Sequence, residues 1–68
     1  MKYHGRVVKW NSERFFGFIT RADKNDSLFF HGRDLVDQVN LPIPGDLVTF
    51  EVGQGRDGRT AARNVRVM

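Results

Sequence analysis

The 68-residue sequence predicts an all-β fold in which five short antiparallel strands close into a small barrel. Apolar and polar residues alternate in short runs rich in β-branched and aromatic types, and clusters of Gly, Pro, Asn or Asp separate these runs. No segment shows the apolar period of an amphipathic helix. Because an open sheet of five strands leaves two edges unpaired, closure into a barrel is the favoured arrangement.

Five runs carry this pattern, each bounded by turn-forming residues. The longest stretch without strand character, 33–46, begins with residues compatible with one short helical turn. Further along it, Pro42 and Pro44, which precede Gly45, are expected to force an extended path. The Asp-Gly dipeptide at 57–58 is typical of a β-hairpin turn. The predicted strands are Tyr3–Trp10, Phe15–Arg21, Ser27–Gly32, Leu47–Gly53 and Arg59–Val67.

Length and composition favour one small domain, 1–68, of marginal stability. The absence of cysteine excludes a disulfide framework and a cysteine zinc site, and it fits a reducing compartment. No apolar run approaches the roughly 20 residues that cross a bilayer, and the charged N-terminus leads into no signal-type apolar segment. We therefore expect an unprocessed cytoplasmic protein that makes no membrane contact.

The charge distribution is uneven. Eleven basic and eight acidic residues give a net charge of +3 and a pI of about 10.0, which alone is a weak indication of nucleic-acid binding. The positions are more informative, because a basic C-terminal segment follows a locally acidic middle. The C-terminal segment holds Arg56, Arg59, Arg63 and Arg66 with one acid, Asp57, and the middle holds Asp34, Asp37 and Asp46.

Aromatic side chains alternate along the second and third predicted strands. Since residues i and i+2 of a strand share a face, Phe16 lies with Phe18, and Phe29 lies with His31. The opposite face has its own apolar residues, so the rings are surplus to the core and available to stack unpaired bases. Periodicity alone is equally compatible with these rings being ordinary core residues. The residues predicted to point inward are Ile19, Leu28 and Phe30.

Four segments, in order, resemble the motifs of a cold-shock domain and together cover nearly the whole chain. The first motif, at 5–19, reads GRVVKWNSERFFGFI, and the second, at 28–31, reads LFFH. The segment at 45–51 reads GDLVTFE, and the one at 62–65 reads ARNV. The resemblance implies an OB-type barrel that binds single-stranded RNA or DNA with low sequence specificity, as a nucleic-acid chaperone or a regulator of transcription or translation. The binding residues it implies are Phe16, Phe18, Phe29 and His31.

The chain departs from the family pattern at four positions. Lys9 stands where the family usually has a surface tryptophan, and Trp10, a further candidate for base contact, stands where it usually has phenylalanine. Phe15 replaces a glycine and Gly32 replaces a phenylalanine. Phe15 either joins the binding surface or packs beneath it, and its shared strand parity with Ile19 favours packing.

Three cations flank the predicted aromatic surface. We expect Lys9, Arg14 and Arg33 to contact phosphates, although most surface cations are simply solvated. The four C-terminal arginines, Arg56, Arg59, Arg63 and Arg66, are weaker candidates.

Other functional patterns are rejected. The GxGxxG spacing at 53–58 is followed by a strand and not by the helix that a dinucleotide site needs. His4 and His31 lie far apart and have no cysteine partners, so we expect no metal site. No nucleophile motif accompanies them, so we expect no cofactor, no small-molecule substrate and no enzymatic activity. The alternatives left open are a protein-interaction module and a ribosome-associated OB domain that use the same aromatic face, in a monomer or a strand-exchanged homodimer.

Overall fold

The computed structural model describes residues 2–23, 26–55 and 58–68, and within them five strands form a closed barrel in the order β1-β2-β3-β5-β4. This confirms the predicted all-β barrel, and each observed strand boundary lies within one residue of its prediction. Residue 57 of the predicted hairpin turn lies outside the described residues. The strands are β1 (Tyr3–Asn11), β2 (Phe16–Arg21), β3 (Ser27–His31), β4 (Leu47–Gln54) and β5 (Thr60–Val67).

One strand pairing differs from the predicted antiparallel arrangement. β3 and β5 run parallel, with Phe29 facing Ala61, whereas the other four neighbouring pairs are antiparallel. The reason is geometric, since strand direction cannot alternate throughout a closed ring with an odd number of strands. The parallel pair is therefore the seam at which the barrel closes.

The core lies inside the barrel and consists of residues from the inward faces of the strands. Ile19 and Phe30 are fully buried and Leu28 is nearly so, which confirms all three as inward residues. Close strand approach on this face requires glycine at position 17, because a Cβ there would lie 2.4 Å from the carbonyl oxygen of Lys9. The core cluster is Val7, Ile19, Leu28, Phe30, Leu35, Val48, Phe50, Ala62 and Val65.

The connection from β3 to β4 begins with a 3₁₀ turn at Gly32–Asp34, as predicted, but the rest of it has bends at 36 and 38–40 and a turn at 44–45 and is not extended throughout. Leu35 is buried and forms an isolated parallel bridge with Val65, which holds the connection against β5. Further along, hydrogen bonds donated mainly by the Val39 backbone N–H lower the pKa of Asp37. Among the described residues, no helix is long and apolar enough to cross a membrane.

Candidate nucleic-acid interface

The register of β2 and β3 brings the four predicted aromatic residues together on the outside of the barrel. Phe16 lies opposite His31, and Phe18 lies opposite Phe29. Facing residues of an antiparallel pair share a face, so these four side chains form one surface, which we call the aromatic platform.

The phenylalanine rings of the platform contact one another. The rings of Phe16 and Phe29 stack with their centroids 5.6 Å apart and their planes at 29°. Phe18 meets Phe16 and Phe29 edge-on, at 6.1 and 5.9 Å. Phe29 is 40% exposed and the other two rings are half-buried, and none of the three belongs to the core cluster. The interpretation that these phenylalanines form the core is therefore wrong.

His31 is held at the end of the platform by hydrogen bonds on both its backbone and its ring. Its backbone N–H donates to the Asp34 carboxylate at 3.1 Å. Its Nδ1 accepts from the backbone N–H of Arg33 at 3.2 Å and lies 3.4 Å from Arg33 Nε. Because Nδ1 accepts, the proton of the neutral imidazole lies on Nε2, where it can be donated to a ligand.

A β-bulge in β1 decides which side chain lies beside the platform. The pairing of β1 with β2 shifts by one residue between Val7 and Lys9. Val7 points inward, and after the shift Lys9 faces Phe18 on the outer surface. A lysine thus occupies the edge of the platform.

Trp10 lies on the other side of β1 from Lys9. It faces Gly17, and its ring stacks on the buried ring of Phe30 at 5.6 Å and 15°. Trp10 is half-buried and packs against the core cluster. Trp10 is therefore not one of the four side chains that form the aromatic platform.

Phe15 lies in the turn before β2 and has a left-handed backbone, with φ of 61°. Strand parity with Ile19 therefore does not determine its direction. Its ring meets Trp10 edge-on at 5.5 Å and His31 at 6.0 Å. The Phe15 ring therefore connects His31 of the platform with Trp10, and Phe15 does not belong to the core cluster.

The Phe15 ring occupies the space above Gly32. A Cβ built on Gly32 would lie 2.0 Å from Cδ2 of Phe15, and the Gly32 N–H donates to the Phe15 carbonyl at 2.6 Å. The missing side chain at position 32 thus makes room for the ring at position 15. The sequence signal for this contact was the pair of departures from the family pattern, a phenylalanine in place of glycine at position 15 and a glycine in place of phenylalanine at position 32.

We expect Gly32→Ala to lower the free energy of unfolding by about 1–3 kcal/mol, because the new methyl group overlaps the Phe15 ring. Combining it with Phe15→Ala removes the overlap, so the double variant is expected to be more stable than the sum of the two single effects implies. Urea denaturation of the four proteins in this cycle measures the coupling. Additive effects would contradict the contact.

The three predicted phosphate contacts are all exposed. Lys9 lies beside Phe18, and Arg33 follows His31 directly. Arg14 lies in the turn after β1, where its backbone N–H donates to Asn11 Oδ1 at 3.1 Å. Cations therefore lie on opposite sides of the platform. Among the weaker candidates, Arg63 lines a hollow beside Phe29, Arg66 faces Thr49, Arg59 precedes β5, and Arg56 lies outside the described residues.

The chain is similar to known proteins in both sequence and fold. The model of the 'Cold-shock' DNA-binding domain family matches residues 3–68. Cold shock-like protein CspG of Shewanella violacea is 43% identical over 61 residues, covering 87% of each chain. Cold shock protein 1 of Arabidopsis thaliana is 39% identical over 62 residues, which are 90% of this chain and 21% of that protein. The solved structure of drosophila Unr CSD456 is similar in fold, with a TM-score of 0.83 at 24% identity over all of this chain and 27% of that one.

Proposed function

Because this chain belongs to the cold-shock DNA-binding domain family, we propose that it binds single-stranded RNA or DNA by stacking bases on the aromatic platform. The observation that carries the proposal is the contact between the partly exposed rings of Phe16, Phe18 and Phe29 outside the core. Such a surface is costly in water unless a ligand covers it.

Stacking explains low sequence specificity. Every base has two flat π faces, and stacking one on an aromatic side chain contributes roughly 1–3 kcal/mol whichever base it is. The platform rings extend over two adjacent strands, so neighbouring bases find separate rings. A chain whose bases are held in this way cannot pair with another strand, which supports a chaperone role that disfavours RNA or DNA secondary structure.

The cations hold the backbone of the ligand in this proposal. Lys9 and Arg33 lie at opposite sides of the platform, so a strand crossing the rings passes both charges. Each neutralised phosphate releases counterions, and this makes the affinity depend on salt.

Titration of a short, fluorescently labelled polythymidine strand at several salt concentrations tests the proposal. We expect affinity to fall with salt, and Lys9→Gln or Arg33→Gln to make the slope of log affinity against log salt shallower by about 0.7 each. Arg66→Gln is the matched control, because Arg66 faces Thr49 away from the platform and its removal is expected to leave the slope unchanged.

A slope that is the same in all four proteins would contradict the assignment of the phosphate contacts. Absence of single-strand binding, together with a partner protein that covers Phe16 and Phe18, would overturn the function and favour a protein-interaction module.

A further inference from the structure

A hollow of about 580 Å³ lies beside the aromatic platform, over the seam between β3 and β5. It lies where side-chain size falls along one row of facing residues, in which Phe18 and Phe29 are followed by Ala61. Two large rings thus give way to a methyl group, and the surface drops behind Phe29. The volume is in the range that proteins use for small ligands.

The rim of the hollow is polar, whereas its floor is apolar. Phe29 and Ala61 contribute the apolar part, and the described rim contains two arginines and one aspartate, so it is net positive. A polyanion can therefore approach despite the carboxylate. The polar rim residues are His31, Arg33, Asp34, Gln54 and Arg63.

Asp34 is fixed in position by the turn that it caps. One carboxylate oxygen, Oδ2, accepts the backbone N–H of His31 at 3.1 Å, and the side chain is only 18% exposed. The other oxygen, Oδ1, lies 3.8 Å from Nε of Arg63, which is an ion pair but too long for a hydrogen bond. The carboxylate therefore keeps unused acceptor capacity at the rim.

Arg63 reaches this position because Gly53 has no side chain. Cδ of Arg63 lies 2.9 Å from the place where a Cβ of residue 53 would be, so the stem of the arginine covers that glycine. The guanidinium then lies beside Asp34 Oδ1. An acceptor group and a donor group thus stand next to each other at the edge of an apolar floor.

On the basis of the proposed function, we propose that this hollow selects guanine among the bases of a bound single strand. Guanine presents two N–H donors, on N1 and N2, beside the acceptor O6 on its Watson–Crick edge. Asp34 accepts from the two donors, and Arg63 donates to O6. Adenine and cytosine each place a ring-nitrogen acceptor next to their single amino group. That nitrogen would face a carboxylate oxygen, and two acceptors repel each other. Uracil and thymine offer the carboxylate only one N–H donor, where guanine offers two.

Base analogues in the unmodified protein test this inference directly. Short polythymidine strands receive a single guanine, adenine, hypoxanthine or 7-deazaguanine at each position in turn. At one position we expect guanine to bind about tenfold more tightly than adenine. Hypoxanthine, which lacks the N2 amino group, is expected to lose most of this advantage, whereas 7-deazaguanine, whose Watson–Crick edge is unchanged, keeps it.

Asp34→Asn tests the protein side of the contact. The amide oxygen still accepts the His31 N–H, but the other group becomes a donor, so the ratio of the affinities for guanine-containing and adenine-containing strands is expected to fall to about one. Asp37→Asn removes the same charge from a carboxylate outside the hollow and is expected to keep the preference.

The outcomes separate this inference from the proposed function. Salt-dependent binding of polythymidine without any preference for guanine, or a preference that hypoxanthine reproduces in full, overturns the guanine pocket and leaves single-strand binding intact. Absence of single-strand binding overturns both. If Asp34→Asn does not fold, the analogue series still decides, because it uses the unmodified protein.

Discussion

Phe30→Ala is expected to unfold most of the protein at room temperature. Phe30 is fully buried, stacks on the ring of Trp10 at 5.6 Å, and is among the largest side chains of the core cluster. Truncating a buried phenylalanine costs about 3–5 kcal/mol. A single core in a chain of this size rarely supplies more than about 3–5 kcal/mol in total, so the loss is comparable to the whole stability.

Urea denaturation followed by circular dichroism measures this effect. Phe29→Ala is the matched control, since it removes the same side chain one residue earlier, from a site that is 40% exposed. We expect it to change the unfolding free energy by about 1 kcal/mol, the range of an aromatic contact at a partly exposed site. Equal destabilisation by the two substitutions would contradict the assignment of inner and outer faces in β3.

Phe29→Ala is expected to weaken single-strand binding by about 1–3 kcal/mol, or about fivefold to 150-fold in affinity. Its ring stacks on Phe16 and meets Phe18 edge-on, so its removal takes away one stacking surface and the support of two others. Fluorescence anisotropy with a labelled pyrimidine-rich strand measures the change, and Phe16→Ala is expected to act in the same direction.

Ile43→Ala is the control for this second prediction. Ile43 is 62% exposed and lies in the connection from β3 to β4, outside the platform and the hollow. Its loss is expected to leave the affinity unchanged. If Phe29→Ala retained wild-type affinity while remaining folded, stacking on the platform would not be the source of binding.

The faces of β2 and β3 were predictable because alternation within them is uninterrupted. From Phe16 to Ile19 and from Leu28 to His31, every second residue belongs to the same face in the structure. The strand boundaries were predictable because glycine, proline and aspartate clusters separate the apolar runs. The local sequence was therefore sufficient to predict both the outward residues of the platform and the inward core residues of the same two strands.

Two features of the site could not be predicted from the local sequence in this way. The bulge after Val7 occurs within two consecutive valines, which give no sign of a change of face. This bulge determines that Lys9 faces outward beside Phe18 and that Trp10, half-buried, packs on Phe30. Phe15 adopts a left-handed backbone, which is uncommon for an aromatic residue, so strand parity gives no information on the direction of its side chain. Its position depends on the tertiary contact with Gly32.

The seam of the barrel links ligand binding to folding. Along it β3 meets β5 only where Phe29 faces Ala61, and the next contact, between Leu35 and Val65, is an isolated bridge beyond the strand. A nucleic acid bound over Phe29 and Ala61 would contact both strands across this seam and hold the two parts of the chain together. The binding free energy would then stabilise the barrel at its shortest strand pairing, and the melting temperature would rise with ligand concentration.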